Sequence, residues 1–158
     1  MEKATLAIIM RNGHILLGRK QSAPEIGEGT LNGPGGKQDP GETLLGCMVR
    51  EAREELGIEL DRKNTEKAAI ITFFAAGEPG LEVHTYRADT FSGEPRETES
   101  MVPEWYPLDR IPYDQMLEAD PHFFPQLLVG ETFNANVYYR EKARDFERIE
   151  FFPFSDHD

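Results

Sequence analysis

The chain has 158 residues, 39% of them hydrophobic and 29% charged, enough apolar material for the core of one domain and too much for a disordered chain. Its 29 acidic residues outweigh 17 basic ones, for a formal net charge of −12. Such a field repels nucleic-acid polymers, anionic membranes and, without an intervening cation, nucleotides as well. Glycine and proline are scattered without period, and no apolar run approaches the length of a membrane span, so collagen-like, low-complexity and membrane-spanning classes are not expected. The residues after Met1 form no basic and then apolar leader, and the single Cys47 can neither staple a fold nor build a thiolate metal cluster within one chain. The expected compartment is the cytoplasm.

Ala4 to Met10 reads as a buried strand and His14 to Leu17 as a second, joined at Arg11-Asn12-Gly13, where Asn-Gly is a strong hairpin signal. Residues 21–42, rich in Gly, Pro and polar side chains, read as one long loop, a length often functional in compact domains. Thr43 to Leu56 is the clearest helix: Leu45, Val49, Ala52 and Leu56 recur on one face, with Thr43 placed to cap the start and Gly57 the end. Ala68 to Ala76 and Leu81 to Phe91 read as strands around a turn at Gly77-Glu78-Pro79-Gly80. Val102 to Leu108 is a shorter strand, placed at a sheet edge by Pro103 and Pro107. Asp120-Pro121 starts a second helix running to about Val129, Thr132 to Tyr139 and Arg148 to Phe152 form a closing strand pair, and residues 153–158 make a short flexible tail. There is no internal repeat and no linker. The order of elements predicts one domain over residues 1–152, of the α/β (α+β) class, a sandwich around a mixed sheet.

The chemistry concentrates between Gly36 and Ile58, GKQDPGETLLGCMVREAREELGI. On the predicted helix Glu51, Glu54 and Glu55 stand at i, i+3 and i+4, on one face offset from the apolar stripe. Carboxylates crowded this way cost a helix roughly a few tenths of a kcal/mol per pair. A hard divalent cation removes that cost, and carboxylate oxygens with water suit Mg²⁺, which often bridges to substrate phosphates. Taken alone, the helix favours a plainer reading: a solvated acidic face with Arg50 and Arg53 as counter-charges. Rival phosphate motifs fail. Leu31 stands where a Walker loop ending at Gly36-Lys37 needs its first glycine, and Gln38 replaces the Ser/Thr. No dinucleotide fingerprint or EF-hand loop occurs, and His14, His84, His122 and His157 show no zinc spacing.

From Gly36 through Glu42, Arg50, Glu51, Ala52, Glu54, Glu55, Gly57 and Ile58 the stretch matches the Nudix box, Gly-x5-Glu-x7-Arg-Glu-apolar-x-Glu-Glu-x-Gly-apolar, at every fixed position, and the chain resembles Nudix hydrolases. The resemblance implies an α/β/α sandwich with a mixed central sheet and a catalytic loop–helix–loop. It implies Mg²⁺-dependent hydrolysis, with Mn²⁺ a substitute ion, of a nucleoside diphosphate linked to another group. Glu51, Glu54 and Glu55 would be the metal ligands, one of them also the base that activates water. Arg50 would complete the catalytic set, and a carbonyl at Gly35 or Gly36 would be a further ligand. Metal ions neutralise developing phosphate charge and position or acidify the attacking water; phosphates that meet the cation first also escape the repulsive field.

Outside the box the chain is similar to the oxidised-purine nucleoside triphosphatases of the animal MutT-homologue type. The similarity runs through Thr5-Leu6, Leu16-Leu17-Gly18 with Lys20, Leu31 to Lys37, Gly77-Glu78-Pro79, Trp105 to Tyr113 with Met116, and Asp120 with Phe123-Phe124-Pro125. By that similarity Asn32 and Asp120 hydrogen-bond the purine edge, an amide offering donor and acceptor and a protonated buried carboxyl a donor. Thr5, Lys20, Gly35, Gly36 and Lys37 line the nucleotide site, and Ile26, Phe73, Leu117 and Phe123 form the pocket walls. Plainer readings stand beside these: Asn32 as a turn residue before Gly33, Asp120 as a helix N-cap, Phe73 and Phe123 as core.

The chain departs from that subfamily where Leu117 replaces a tryptophan that ordinarily stacks on the base. Ala119 replaces the first of two adjacent aspartates, Ala75 an aromatic, and two residues are inserted between Lys20 and Asn32. The identity of the base stays open. Glu99, or Glu97 after a shift, is the candidate extra metal ligand in the loop before Val102, where straight alignment places Ser100; both glutamates read equally as solvated charges. The resemblance as a whole implies conversion of a modified purine nucleotide such as 8-oxo-dGTP to the monophosphate and pyrophosphate, in nucleotide-pool sanitation. The alternatives are hydrolysis of another nucleoside diphosphate derivative and a non-catalytic nucleotide-binding module. A monomer acting on a small nucleotide, without nucleic-acid or membrane partners, is expected.

Overall fold

A computed structural model describes residues 1–21 and 29–158. The described elements are, in order, β1 (Glu2–Arg11), β2 (His14–Lys20), β3 (Leu31–Asn32), α1 (Leu44–Leu56), β4 (Glu59–Leu60), β5 (Thr65–Ala75), β6 (Glu78–Ala88), β7 (Phe91–Ser92), β8 (Met101–Pro107), α2 (Phe124–Leu128), β9 (Phe133–Glu141) and β10 (Arg144–Phe152). Eight strands form one sheet in the order β10-β9-β5-β6-β1-β2-β3, with β8 also pairing β2. The β1/β6 and β5/β9 pairs are parallel and the others antiparallel, so the sheet is mixed as expected.

Side chains alternate across the strands and divide the core in two. Leu6 and Ile8 of β1 join Ile15, Leu17, Phe123, Phe124 and Val137 on one face. Ala7 and Ile9 join Leu16, Met48, Val49, Ala52 and Leu56 of α1 on the other. The result is a sandwich with α1 on one side and, on the other, α2 preceded by a 3₁₀ turn at Asp120–His122. Among the described residues no helix is long and apolar enough to cross a membrane.

Several expectations shift. The long loop contains β3, whose Leu31 and Asn32 pair with Arg19 and Gly18 of β2. The chain then runs on along β1, where the Ala7 N–H donates to the Pro34 carbonyl (2.8 Å) and the Thr5 N–H to that of Gly36 (2.9 Å). Glycine permits this approach: a Cβ at Gly33 would lie 2.1 Å from the Ala7 carbonyl oxygen, and one at Gly35 1.9 Å from that of Thr5. The β5–β6 turn is tighter than expected, at Ala76 (φ 51°) and Gly77 (φ 79°), the paired positive φ values of a two-residue hairpin. Glu78 and Pro79 therefore belong to β6, and Pro79 is tolerated at a register shift between Phe73 and Phe74.

The second helix is also shorter than expected, because Phe123 (φ −133°) breaks it from the preceding turn. Residues 153–158 lack regular structure but do not fray: the Asn134 amide donates to the Ser155 carbonyl, Lys67 pairs with Asp156, His157 with Glu82, and Lys3 with Asp158. Two lysines of the sheet meet aspartates of the terminus, and Asn134 and Glu82 bond Ser155 and His157.

Candidate active site

Helix α1 is defined at both ends. The Thr43 hydroxyl accepts from the Gly46 N–H (3.0 Å), and Gly57 (φ 71°) closes the helix by donating its N–H to the Arg53 carbonyl (2.9 Å). Its apolar face seats the glutamates on the opposite rim. Arg50 organises them. Its Nε and Nη2 donate to the two oxygens of Glu42 (3.0 and 2.7 Å), Nη1 to Glu51 (2.9 Å) and Glu54 (3.2 Å), and Nη2 also to the Lys37 carbonyl (3.2 Å). The guanidinium hydrogen bond holds the Glu42 carboxyl down at about 2, and these carboxylates hold Arg50 charged.

The 33–38 segment closes on the same face. Gly36 lies so near α1 that a Cβ there would sit 2.5 Å from Glu51 Oε1. The Gly35 N–H donates to Glu55 Oε1 at 2.7 Å. Burial raises the Glu51 carboxyl and pushes Glu55 up to about 7. Of the two expected carbonyl ligands, that of Gly36 is taken by the Thr5 N–H. Alternation along the segment turns the Gly35 carbonyl away from β1. Among the described residues no three carboxylate, imidazole or thiolate groups close round one point: Arg50 draws Glu51 and Glu54 to itself, and Gly35 draws Glu55.

A second group lies on the opposite core face. Asp120 is 2% exposed. Its Oδ2 accepts the Leu117 N–H at 3.1 Å, and burial pushes its carboxyl up to about 7 against the opposing pull of Lys20. Lys20 acts on Glu55 in the same sense, so its charge is felt at both groups. No side-chain cap bond starts the 3₁₀ turn or α2, so the structure does not use Asp120 as an N-cap. The Phe73 and Phe123 rings meet edge to face, centroids 6.5 Å apart, in the cluster that also holds Leu31, Met116 and Ala119. Leu117, next in the chain to Met116, is half-buried. The Asn32 side-chain Oδ1 accepts the Gly33 N–H (2.9 Å), which is the turn role that competed with base recognition.

Other expected residues lie elsewhere. The Thr5 hydroxyl is buried under α1, 3.4 Å from the Gly36 carbonyl and 3.4 Å from the Cys47 sulfur, on the face that β1 alternation dictates. Burial pushes that thiol up to about 11, which leaves it unreactive. Lys37 is exposed and pairs with Glu2. Glu97 and Glu99 are exposed in the loop before β8, and this loop is tied to α1 where the Thr98 hydroxyl donates to the Glu55 carbonyl (2.7 Å). Ile26 lies outside the described residues. Sequence reasoning gave no role to Glu42, although it is a fixed position of the motif, or to Thr98, which carried no signal.

A glycine loop locked against a capped helix whose three glutamates are held by one arginine and by that loop defines a class. Residues 1–127 match the NUDIX domain, and the chain belongs to the NUDIX family. Within it, the chain is 37% identical over 142 residues to the oxidized purine nucleoside triphosphate hydrolase of Danio rerio, covering 89% of this chain and 87% of that one. It is 35% identical over 139 residues to the protein of that name in Mus musculus, covering 87% and 86%. Among solved structures, the MutT NUDIX hydrolase of Burkholderia pseudomallei superposes with a TM-score of 0.68 at 34% identity, over 80% of this chain and 97% of that one. The MutT protein of Bacillus halodurans shares the fold, with a TM-score of 0.80 at 23% identity over 96% and 97%.

Proposed function

We propose that the chain is a divalent-metal-dependent pyrophosphohydrolase of purine nucleoside triphosphates, acting on oxidised purines such as 8-oxo-dGTP to give the monophosphate and pyrophosphate. The observation that carries this is the α1 face, where Glu51, Glu54 and Glu55 are held between Arg50 and the Gly35-Gly36 loop. The donor set fits a hard cation: every side-chain ligand is a carboxylate, and two of the three are raised by burial, a cost that a divalent charge offsets. Glu51, Glu54 and Glu55 with the Gly35 carbonyl would hold Mg²⁺, or Mn²⁺ in its place. When bound, the ion supplies neutralisation of phosphate charge and a more acidic water. Arg50 keeps Glu51 and Glu54 oriented, and Glu42 keeps Arg50 in place.

The names of the animal relatives and the state of Asp120 support the base. With its carboxyl at about 7, Asp120 is protonated below neutral pH and partly so at it, and in that form can donate a hydrogen bond, which a carboxylate cannot. A base edge that fails to pair with such a buried group is rejected strongly. Leu117 supplies apolar contact but no stacking ring. The same reading carries a cytoplasmic monomer acting on free nucleotides, and the charge of −12 supports exclusion of nucleic-acid polymers. The test is product analysis over a panel of oxidised and unmodified nucleoside triphosphates, dinucleoside polyphosphates and nucleotide sugars. Preferential release of pyrophosphate from oxidised purine triphosphates is expected; faster turnover of a sugar or dinucleoside substrate would overturn it.

A further inference from the structure

The loop carrying Asp120 is held from outside the pocket by the β9–β10 hairpin. Glu118, the exposed neighbour of Leu117, turns to that hairpin: Oε1 accepts the Asp145 N–H at 3.2 Å and Oε2 the Phe146 N–H at 3.3 Å. The hairpin is shaped for this. Ala143 and Asp145 have φ of 57° and 59°, and the β9–β10 register shifts between Phe146 and Arg148. Such an irregularity frees backbone groups from the ladder, and here two successive N–H groups reach one carboxylate.

Two contacts continue the anchor. The Ala119 N–H donates to the Tyr139 hydroxyl of β9 at 2.9 Å, and the His122 ring stacks on Phe146 with centroids 4.6 Å apart. Inside the loop the Leu117 N–H bonds Asp120 Oδ2. Met116, Ala119 and Phe123 seat the segment in the core and the Asp120 N–H closes it on the Leu117 carbonyl; the hairpin bonds to Glu118 and Ala119 add the constraint on its outer side.

We propose that Glu118 is a positioning residue for base discrimination: by binding the hairpin amides it holds residues 117–120 so that Asp120 and Leu117 present a fixed edge to the base. This rests on the base-pocket reading of Asp120. Displacements of about 1 Å can cost up to 100-fold in rate, so a loosened loop degrades discrimination without touching the glutamates of α1.

The test is steady-state kinetics on 8-oxo-dGTP and dGTP with Glu118→Ala, Glu118→Gln, Tyr139→Phe and Asp120→Asn, alongside thermal melting of each. Glu118→Ala is expected to raise KM for the oxidised nucleotide and to lower the oxidised-to-unmodified ratio of kcat/KM by about 10-fold, with kcat little changed. Glu118→Gln keeps a carbonyl acceptor for one of the two amides and should recover part of the ratio. Tyr139→Phe should move the ratio in the same direction as Glu118→Ala, which keeps the idea testable if one variant folds poorly. A Glu118→Ala enzyme that melts lower yet keeps its ratio, while Asp120→Asn loses it, overturns the proposal and leaves the base pocket standing. If Asp120→Asn itself keeps the ratio, the base-pocket reading fails and the positioning role falls with it.

Discussion

Arg50 shows how much one side chain can organise. It is the common partner of Glu42, Glu51 and Glu54, with only 23% of its side chain exposed. Arg50→Ala should therefore destabilise the fold by about 2–3 kcal/mol, since it strands partly buried carboxylates, and chemical denaturation would measure it. The same bonds set a pH dependence. Glu42 sits at about 2 in the folded chain against an ordinary 4.5. Its contribution is present above pH 4.5 and lost as pH falls towards 2, so Glu42→Gln should flatten that acid limb. Asp120 has the opposite sign. Raised from 3.8 to about 7, it favours folding fully below pH 3.8, and that contribution is lost as pH rises through 7. Denaturation of Asp120→Asn across pH 4–8 should show a smaller decline than the parent; an unchanged slope would mean that Asp120 is ionised in the folded chain.

At the scale of elements, α1 was legible because its signals are local: Thr43, Gly57 and the apolar spacing are all read within one segment. The bond from Arg50 to Glu42 was not, since it joins the helix to a preceding loop whose path periodicity does not describe. β3 escaped notice because a strand of two residues has no alternation to read. The β5–β6 turn was misplaced by the attraction of Pro79-Gly80, when the positive φ values fall at Ala76 and Gly77. Side-chain facing explains where Thr5 points: strand alternation turns its hydroxyl beneath α1, beside the Gly36 carbonyl and the Cys47 sulfur. The glycine loop yields a paired prediction. In Gly35→Ala the new Cβ meets backbone, the Thr5 carbonyl at 1.9 Å, whereas in Gly36→Ala it meets the Glu51 carboxylate. Gly35→Ala should lift the segment and lower the melting temperature. Gly36→Ala should displace Glu51 and cost activity with a smaller change in stability. Equal effects of the two on melting and rate would show that the loop is not held as described.

Across the whole molecule, two chemical groups are built on opposite faces of one sheet, with Lys20 at the end of β2 acting on both. The sandwich and its mixed sheet followed from the order of elements, and the proposed metal-binding role of the glutamates from the match to the whole Nudix box, since their spacing alone favoured a solvated acidic face. The hairpin that braces residues 117–120 did not, because bonds between a loop and a strand pair distant in sequence leave no periodic trace. Nor did the docking of the C-terminal residues, which depends on Lys3, Lys67 and Glu82 lying together on adjacent strands. In a molecule of net charge −12, the proposed turnover of an anion depends on a cation at the glutamate face to offset the repulsion. The most direct test is pyrophosphate release from 8-oxo-dGTP and dGTP side by side, with and without Mg²⁺, by the parent and by Glu54→Gln. Glu54 is 57% exposed, so its substitution should leave folding intact. The expected result is metal-dependent turnover that favours the oxidised base and falls at least about 100-fold in the variant. Turnover that survives in Glu54→Gln, or that needs no metal, would contradict it.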